Sequence, residues 1–172
     1  PGHGYSPKLL NYDVSTITEI VSEALNQFGP ILIIAHSLGG HLILQALSDI
    51  KNCFGLVLIG TPPLKKPLKM VEAFANDQRL GLLFKEQLSL EEKGSFIQFI
   101  GCDGDNAELA KEALELTDAK FRSDITKSLL SDILSDELEV LKNVEFPVAL
   151  IARKDDRLLN KDYYERITFK KL

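Results

Sequence analysis

Three short, nearly unbroken apolar runs constrain this chain most: Ile31-Leu32-Ile33-Ile34-Ala35, Phe54-Gly55-Leu56-Val57-Leu58-Ile59 and Pro147-Val148-Ala149-Leu150-Ile151-Ala152. Runs this short and continuous are the pattern of parallel strands covered by helices on both faces. Between them the period becomes helical. Val14, Ile17, Ile20, Val21, Ala24, Leu25 and Phe28 form one apolar stripe, which predicts a helix ending at Gly29-Pro30. Residues Ser37 to Ile50 read as a second helix. Strand, helix and strand then make a βαβ unit with a right-handed crossover.

The stretch from Thr61 to Glu145 is too long for one crossover helix. It opens with Thr61-Pro62-Pro63 and a basic cluster, Lys65, Lys66 and Lys69, read as a solvated face. Ser89-Leu90-Glu91-Glu92 has the form of a capping box. Asn106 to Lys120 reads as an amphipathic helix with Leu109, Ala113, Leu114 and Leu116 on one side. Ile125, Leu129, Ile133 and Leu134 continue the helical period. Cys102-Asp103-Gly104-Asp105-Asn106 lacks the closing Glu of a calcium loop and reads as a turn into a helix. Phe74, Phe84, Phe96 and Phe99 read as apolar core of this helical stretch.

Composition narrows the class. The chain has 172 residues, 45% hydrophobic and 26% charged, which fits a folded domain and excludes disorder. A net charge of −5 with scattered Lys and Arg argues against a nucleic-acid surface. No apolar run is long enough to span a membrane. Cys53 and Cys102 are too few for a disulfide framework and read as reduced thiols, Cys53 as a small buried hydrophobe.

The first apolar run leads straight into Ala35-His36-Ser37-Leu38-Gly39-Gly40 and then a helix. A Ser that attacks a carbonyl must stand clear of the backbone at the end of a rigid strand. The sharp turn that presents it demands small residues two positions to either side, here Ala35 and Gly39. The helix that starts there aims unbonded N–H groups at the same place, so the Leu38 N–H is set to bind a developing oxyanion.

These residues resemble the α/β-hydrolase superfamily, and the resemblance runs along the whole chain. Pro1-Gly2-His3-Gly4-Tyr5-Ser6 is similar to the loop after the fourth strand of that fold. Ala35 to Gly40 is similar to the nucleophile elbow, with Ala where Gly is usual, and Gly55 to Pro63 to the sixth strand and its end. Phe146 to Tyr164 is similar to the seventh strand and its acid-bearing loop. The resemblance implies an α/β-hydrolase core over 1–63 and 144–172, with a helical cap or lid over 64–143. Only part of the fold is expected: three parallel strands of the central sheet, their flanking helices and the cap insertion.

The resemblance further implies a catalytic Ser37 and an acid on the loop Arg153-Lys154-Asp155-Asp156. The usual Gly is absent there, so counting reaches either Asp156 or Asp155; the downstream segment favours Asp156. The base should follow the acid, yet the three histidines, His3, His36 and His41, all precede it. His36 reads as a packing or hydrogen-bonding residue beneath the elbow, His41 as a polar contact one turn into the helix, and His3 as a structural loop contact. The early loop carrying a second oxyanion donor is also missing, and the chain opens at Pro1. The implied picture is a middle piece that is inactive alone. Its partner is the remainder of its own polypeptide, with N-terminal strands and a C-terminal strand bearing the His; a homodimer is a further expectation.

The implied activity is a serine hydrolase acting on a small carboxylic ester, thioester or lactone through an acyl-enzyme; the reduced thiols read as those of a cytoplasmic protein. Neither metal nor organic cofactor is implied, and neither nucleic acid nor membrane is an expected partner. Ser at the apex disfavours the dehalogenase and epoxide-hydrolase branches, which use Asp. Acyl transfer, C–C bond hydrolysis or perhydrolysis at the same site are alternatives, as is a non-catalytic binding protein.

Overall fold

The computed structural model describes residues 1–67, 69–131 and 134–167. Its strands are β1 (Ile31–His36), β2 (Cys53–Ile59) and β3 (Val148–Ile151). Its helices are α1 (Val14–Leu25), α2 (Leu38–Ala46), α3 (Met70–Ala73), α4 (Leu90–Phe99), α5 (Gly104–Glu115), α6 (Ala119–Leu129), α7 (Glu137–Asn143) and α8 (Lys161–Arg166). Two compact units share the chain. One comprises Val14–Ala75 and Asp132–Leu172; the other comprises Pro1–Asp13 and Asn76–Ser131. The 64–143 stretch therefore contributes residues to both.

All three strands lie in the first unit, parallel and in the order β1-β2-β3. Ile33 and Ala35 of β1 share a face with Leu56 and Leu58 of β2, and with Val148 and Leu150 of β3. That face packs against Ile43, Leu44 and Leu47 after the elbow, Val21 and Leu25 of α1, and Leu141 of α7. Leu56 and Leu58 are fully buried there, each burial contributing about 1.5–3 kcal/mol.

The opposite face is not covered as the apolar runs predicted. Ile34 is 65% exposed, and Leu32 and Ile151 are each 50% exposed. The strand order never reverses, so right-handed connections through α2 and α7 fall on the same side of the sheet. Strand runs that look doubly buried in sequence are covered on one side only among the described residues.

Two helix ends depart from the periodic pattern. α1 stops at Leu25, and Phe28 is exposed. The Asn52 amide donates to the carbonyls of Leu25, Phe28 and Gly29 at 2.9, 2.8 and 2.9 Å. It supplies the donors that the helix terminus lacks. α2 stops at Ala46, and its expected last turn tightens into a 3-10 turn over Leu47–Asp49.

Polar contacts fix α2 within its unit. Gly40 is buried against Thr61: a Cβ there would overlap the Thr61 hydroxyl and stand 2.7 Å from its Cγ2. A Cβ on Gly39 would meet nothing outside its own helix. The steric demand therefore falls on Gly40, not on Gly39 as the elbow pattern predicts, because Gly40 is where another segment crosses α2. At the next residue, His41 Nδ1 lies 2.8 Å from Glu137 Oε2, and both side chains are buried. The same carboxylate oxygen accepts the Leu64 N–H at 2.8 Å, and Oε1 accepts from Gln45 at 3.2 Å. Glu137 thus joins α2, α7 and the segment after β2.

The second unit is helical. The capping box at α4 forms as predicted: Ser89 Oγ accepts from the Glu92 N–H at 3.2 Å, and Glu92 Oε2 accepts from the Ser89 N–H at 2.9 Å. The single helix expected over Asn106 to Lys120 is instead two. α5 begins at Gly104 and ends at Glu115, and Asp118 caps α6 by accepting from Lys120 N–H. A carboxylate that can bond the backbone breaks a helix that apolar spacing would continue. Asp118 also accepts from the buried Tyr12 hydroxyl at 2.9 Å, and Asp124 Oδ2 accepts from the Tyr12 N–H at 3.3 Å. Leu109 of α5 is 63% exposed, so the amphipathic pattern there covers no core. Phe99 is buried with Arg79 above its ring, whereas Phe74 belongs to the strand-bearing unit, packed near Leu64 and Tyr163. Of the predicted helical positions, Ile133 lies outside the described residues. Both cysteines are free, and Cys53 is half-buried. No described helix is long and apolar enough to cross a membrane.

Three outcomes follow from this packing. Gly40→Ala should cost about 1–3 kcal/mol in chemical denaturation, as overpacking does, while Gly39→Ala should be tolerated. Glu137→Ala should cost about 3–5 kcal/mol by stranding a buried histidine and a backbone donor, which a lowered Tm would register. The third concerns acid. Hydrogen bonding from Tyr12 lowers the Asp118 carboxyl below its ordinary value. Bonding from Arg79 holds Asp77 at about 2. A carboxyl whose folded pKa is depressed stabilises the fold above its unfolded value and loses that contribution as pH falls through the folded value. Thermal unfolding of the helical unit should therefore worsen between about pH 4 and about pH 2, and Asp118→Asn should flatten part of that fall.

Candidate active site at the strand ends

Residues drawn to the C-terminal ends of β1, β2 and β3 make the candidate site, the end where open α/β sheets present their chemistry. Ser37 follows β1 directly and precedes α2. Its φ is 51° and ψ −126°, and it is the one non-glycine residue with positive φ among the described residues. A residue with a Cβ in such a conformation costs about 1–3 kcal/mol and persists only where its surroundings determine it.

Those surroundings come from β2. The Ser37 N–H donates to Ile59 O at 2.9 Å, and the Ser37 carbonyl accepts from the Thr61 hydroxyl at 2.9 Å. The Ser37 side chain makes no capping bond to α2, so its hydroxyl is not spent on the helix. The Leu38 N–H, first in α2, has no intrahelical acceptor by geometry and faces outward at the positive end of the helix.

Asp156 sits on the loop after β3. Its N–H donates to Arg153 O at 3.2 Å, and its Oδ1 accepts from the Leu158 N–H at 2.8 Å. This Asx-type turn shapes the loop where the usual Gly is absent. Downstream, Ala75 N–H donates to Leu158 O and Asn160 N–H to Ala73 O, at 2.9 and 3.0 Å, pairing the loop with the end of α3. Asp155 is placed differently. It is exposed and forms a two-pronged ion pair with Arg153 at 2.6 and 2.8 Å, and that hydrogen bonding lowers its carboxyl below the ordinary value.

Gly60 lies between the two turns. Its φ is +58°, and a Cβ there would stand 3.5 Å from His36 Nε2 and 4.0 Å from Asp156 Oδ2. The structure thus brings both His36, which precedes Ser37, and Asp156 close to Gly60. Strand alternation puts His36 on the uncovered face with Leu32 and Ile34, so it is exposed rather than packed beneath the elbow. His41 is committed to Glu137. His3 lies in the helical unit, edge-on to Phe121 with ring centroids 4.3 Å apart. Near Asp156, the Tyr164 hydroxyl is buried without a hydrogen-bond partner among the described residues. Burial first, and the Asp156 carboxylate second, push its phenol well above the ordinary range.

Sequence reasoning missed Gly60, Thr61 and Glu137. Gly60-Thr61 carried a signal, a glycine and a hydroxyl residue directly after an apolar strand. Glu137 carried none, since its partner His41 lies far away in sequence. Of the basic cluster, Lys65 is exposed and Lys69 pairs with Glu72 at 3.1 Å, a solvated arrangement.

Several solved structures share this fold. The N-acyl homoserine lactonase AidH, complexed with N-butanoyl homoserine, superposes with a TM-score of 0.88 at 20% identity, covering 98% of this chain and 63% of that one. An esterase from Exiguobacterium antarcticum gives 0.71 at 15% identity, covering 96% and 65%. A bromoperoxidase from Bacillus anthracis gives 0.62 at 17% identity, covering 88% and 60%. The chain thus spans under two thirds of the length of these structures. No curated protein matches it in sequence. A model of the alpha/beta hydrolase family matches residues 1–170, and the chain belongs to that family.

Proposed function

We propose that the chain carries the nucleophile and the acid of a serine hydrolase acting on a small carboxylic ester, thioester or lactone. The observation that carries this reading is Ser37, held at positive φ between a strand end and a helix start, with a hydroxyl not used as a cap. In this reading Ser37 Oγ attacks the acyl carbon while a histidine outside these residues takes its proton. The Leu38 N–H and a second donor outside these residues hold the oxyanion. The histidine returns the proton to the departing alcohol, thiol or ring oxygen, and water then releases the acyl group. Asp156 orients that histidine and stabilises its imidazolium form. The half-buried Asp156 beside Gly60 suits that role better than Asp155, which Arg153 holds at the surface.

The likeness to a lactonase makes N-acyl homoserine lactones a first substrate class to test. The likeness to a bromoperoxidase keeps perhydrolysis, with acyl transfer, as a second reading of the same site. The helical 64–143 stretch is the cap insertion of this reading. The remaining strands and the base come from the rest of the polypeptide, a second copy of the chain is a further partner to test, and the two free thiols fit a cytoplasmic setting. The 172 residues alone, without a base, are inactive toward p-nitrophenyl esters.

A fluorophosphonate probe on the intact protein tests the reading. It should label Ser37, and Ser37→Ala should abolish labelling. Asp156→Asn should slow labelling by about 10³-fold or more, whereas Asp155→Asn should leave it near the original rate. A protein that takes no label would be a binding relative instead.

A further inference from the structure

We propose that Thr61 is a positioning residue for Ser37: its buried hydroxyl, bonded to the Ser37 carbonyl, holds the turn that presents the Ser37 side chain. The inference rests on the reading of Ser37 as a nucleophile.

Thr61 is 0% exposed and follows β2 by one residue past Gly60. Its hydroxyl lies 2.9 Å from Ser37 O and 3.3 Å from Ile59 O. One hydroxyl proton serves one acceptor well, and the nearer acceptor belongs to the strained residue. The other donors to Ser37 O are the N–H groups of Gly40 at 2.9 Å and His41 at 3.4 Å. Both belong to α2 and tie the carbonyl only to the helix that follows it. Among the described residues, Thr61 alone ties that carbonyl to the end of β2, which already holds the Ser37 N–H through Ile59.

Two glycines make this contact reachable. Gly60, at φ +58°, turns the chain at the end of β2, and Gly40 offers no Cβ where the Thr61 side chain rests. Val would fill the space that Thr61 fills, so packing does not account for the hydroxyl. Its use is the bond to Ser37, which fixes the direction of the Ser37 carbonyl and hence the backbone torsion that aims Oγ.

The test uses the intact protein and three variants, Thr61→Val, Thr61→Ala and Thr61→Ser, each followed by fluorophosphonate labelling rate and by Tm. Val keeps the volume and loses the hydroxyl; Ala and Ser lose the same methyl and differ only in the hydroxyl. Val and Ala should label about tenfold more slowly or worse, and Ser should stay within about threefold of the original. That order should hold whatever the order of Tm. If Val does not fold, Ser against Ala decides. Labelling of Val at the original rate, or equal slowing of Ser and Ala, would overturn the inference while leaving Ser37 a nucleophile. An original protein that takes no label would overturn both.

Discussion

A serine held at positive φ is the constraint around which this chain is arranged. The backbone of Ser37 sits where a Cβ is unwelcome, and its own helix bonds only its carbonyl. The end of β2 holds both sides of the residue, through the Ile59 carbonyl on one and the Thr61 hydroxyl on the other. Each such bond nets about 0.5–1.5 kcal/mol, so together they are of the size needed to offset the strain of about 1–3 kcal/mol. The conformation is stable because a neighbouring strand fixes both of its ends.

The same strand end reaches the other side of the site. Gly60 N–H donates to Ile151 O at 2.8 Å, so the turn that grips Ser37 is bonded to the strand from which the Asp156 loop springs. The loop is in turn closed by the Asx-type turn at Asp156 and by pairing with the end of α3. Glu137 performs a comparable service deeper in the unit. One buried carboxylate answers a histidine and a glutamine of α2 and a backbone N–H of the stretch after β2. Bonds of this kind set distances between segments that apolar packing alone leaves free to slide.

Much of this was legible in the sequence. The three apolar runs became the three strands, because a continuous run of that length has few other ways to be buried. The serine turn was legible because a strand end, a serine between small residues and a helix start form a local pattern. What stayed hidden depends on residues far apart in the chain. Phe28 fits the stripe of α1, but Asn52 ends that helix by taking its last carbonyls. Asp118 sits inside a helical spacing, yet Tyr12 and the α6 backbone both claim it. Among the described residues the sheet is covered on one side for a topological reason: apolar content does not encode on which side the crossovers fall. The steric role passed from Gly39 to Gly40 because the crossing residue, Thr61, comes from the segment after β2.

Strand β2 carries none of the candidate catalytic groups. Ser37 follows β1, Asp156 follows β3, and β2 between them offers only carbonyls, a glycine and a threonine at its end. A ranking of residues by chemical reactivity would pass over it. A ranking by how many functional groups lose their alignment when a residue changes would put the end of β2 near the top. Sequence divergence that preserves the reaction should therefore be freer on the exposed faces of β1 and β3 than at Gly60 and Thr61. The most tightly inherited part of such a site need not be a part that touches the substrate.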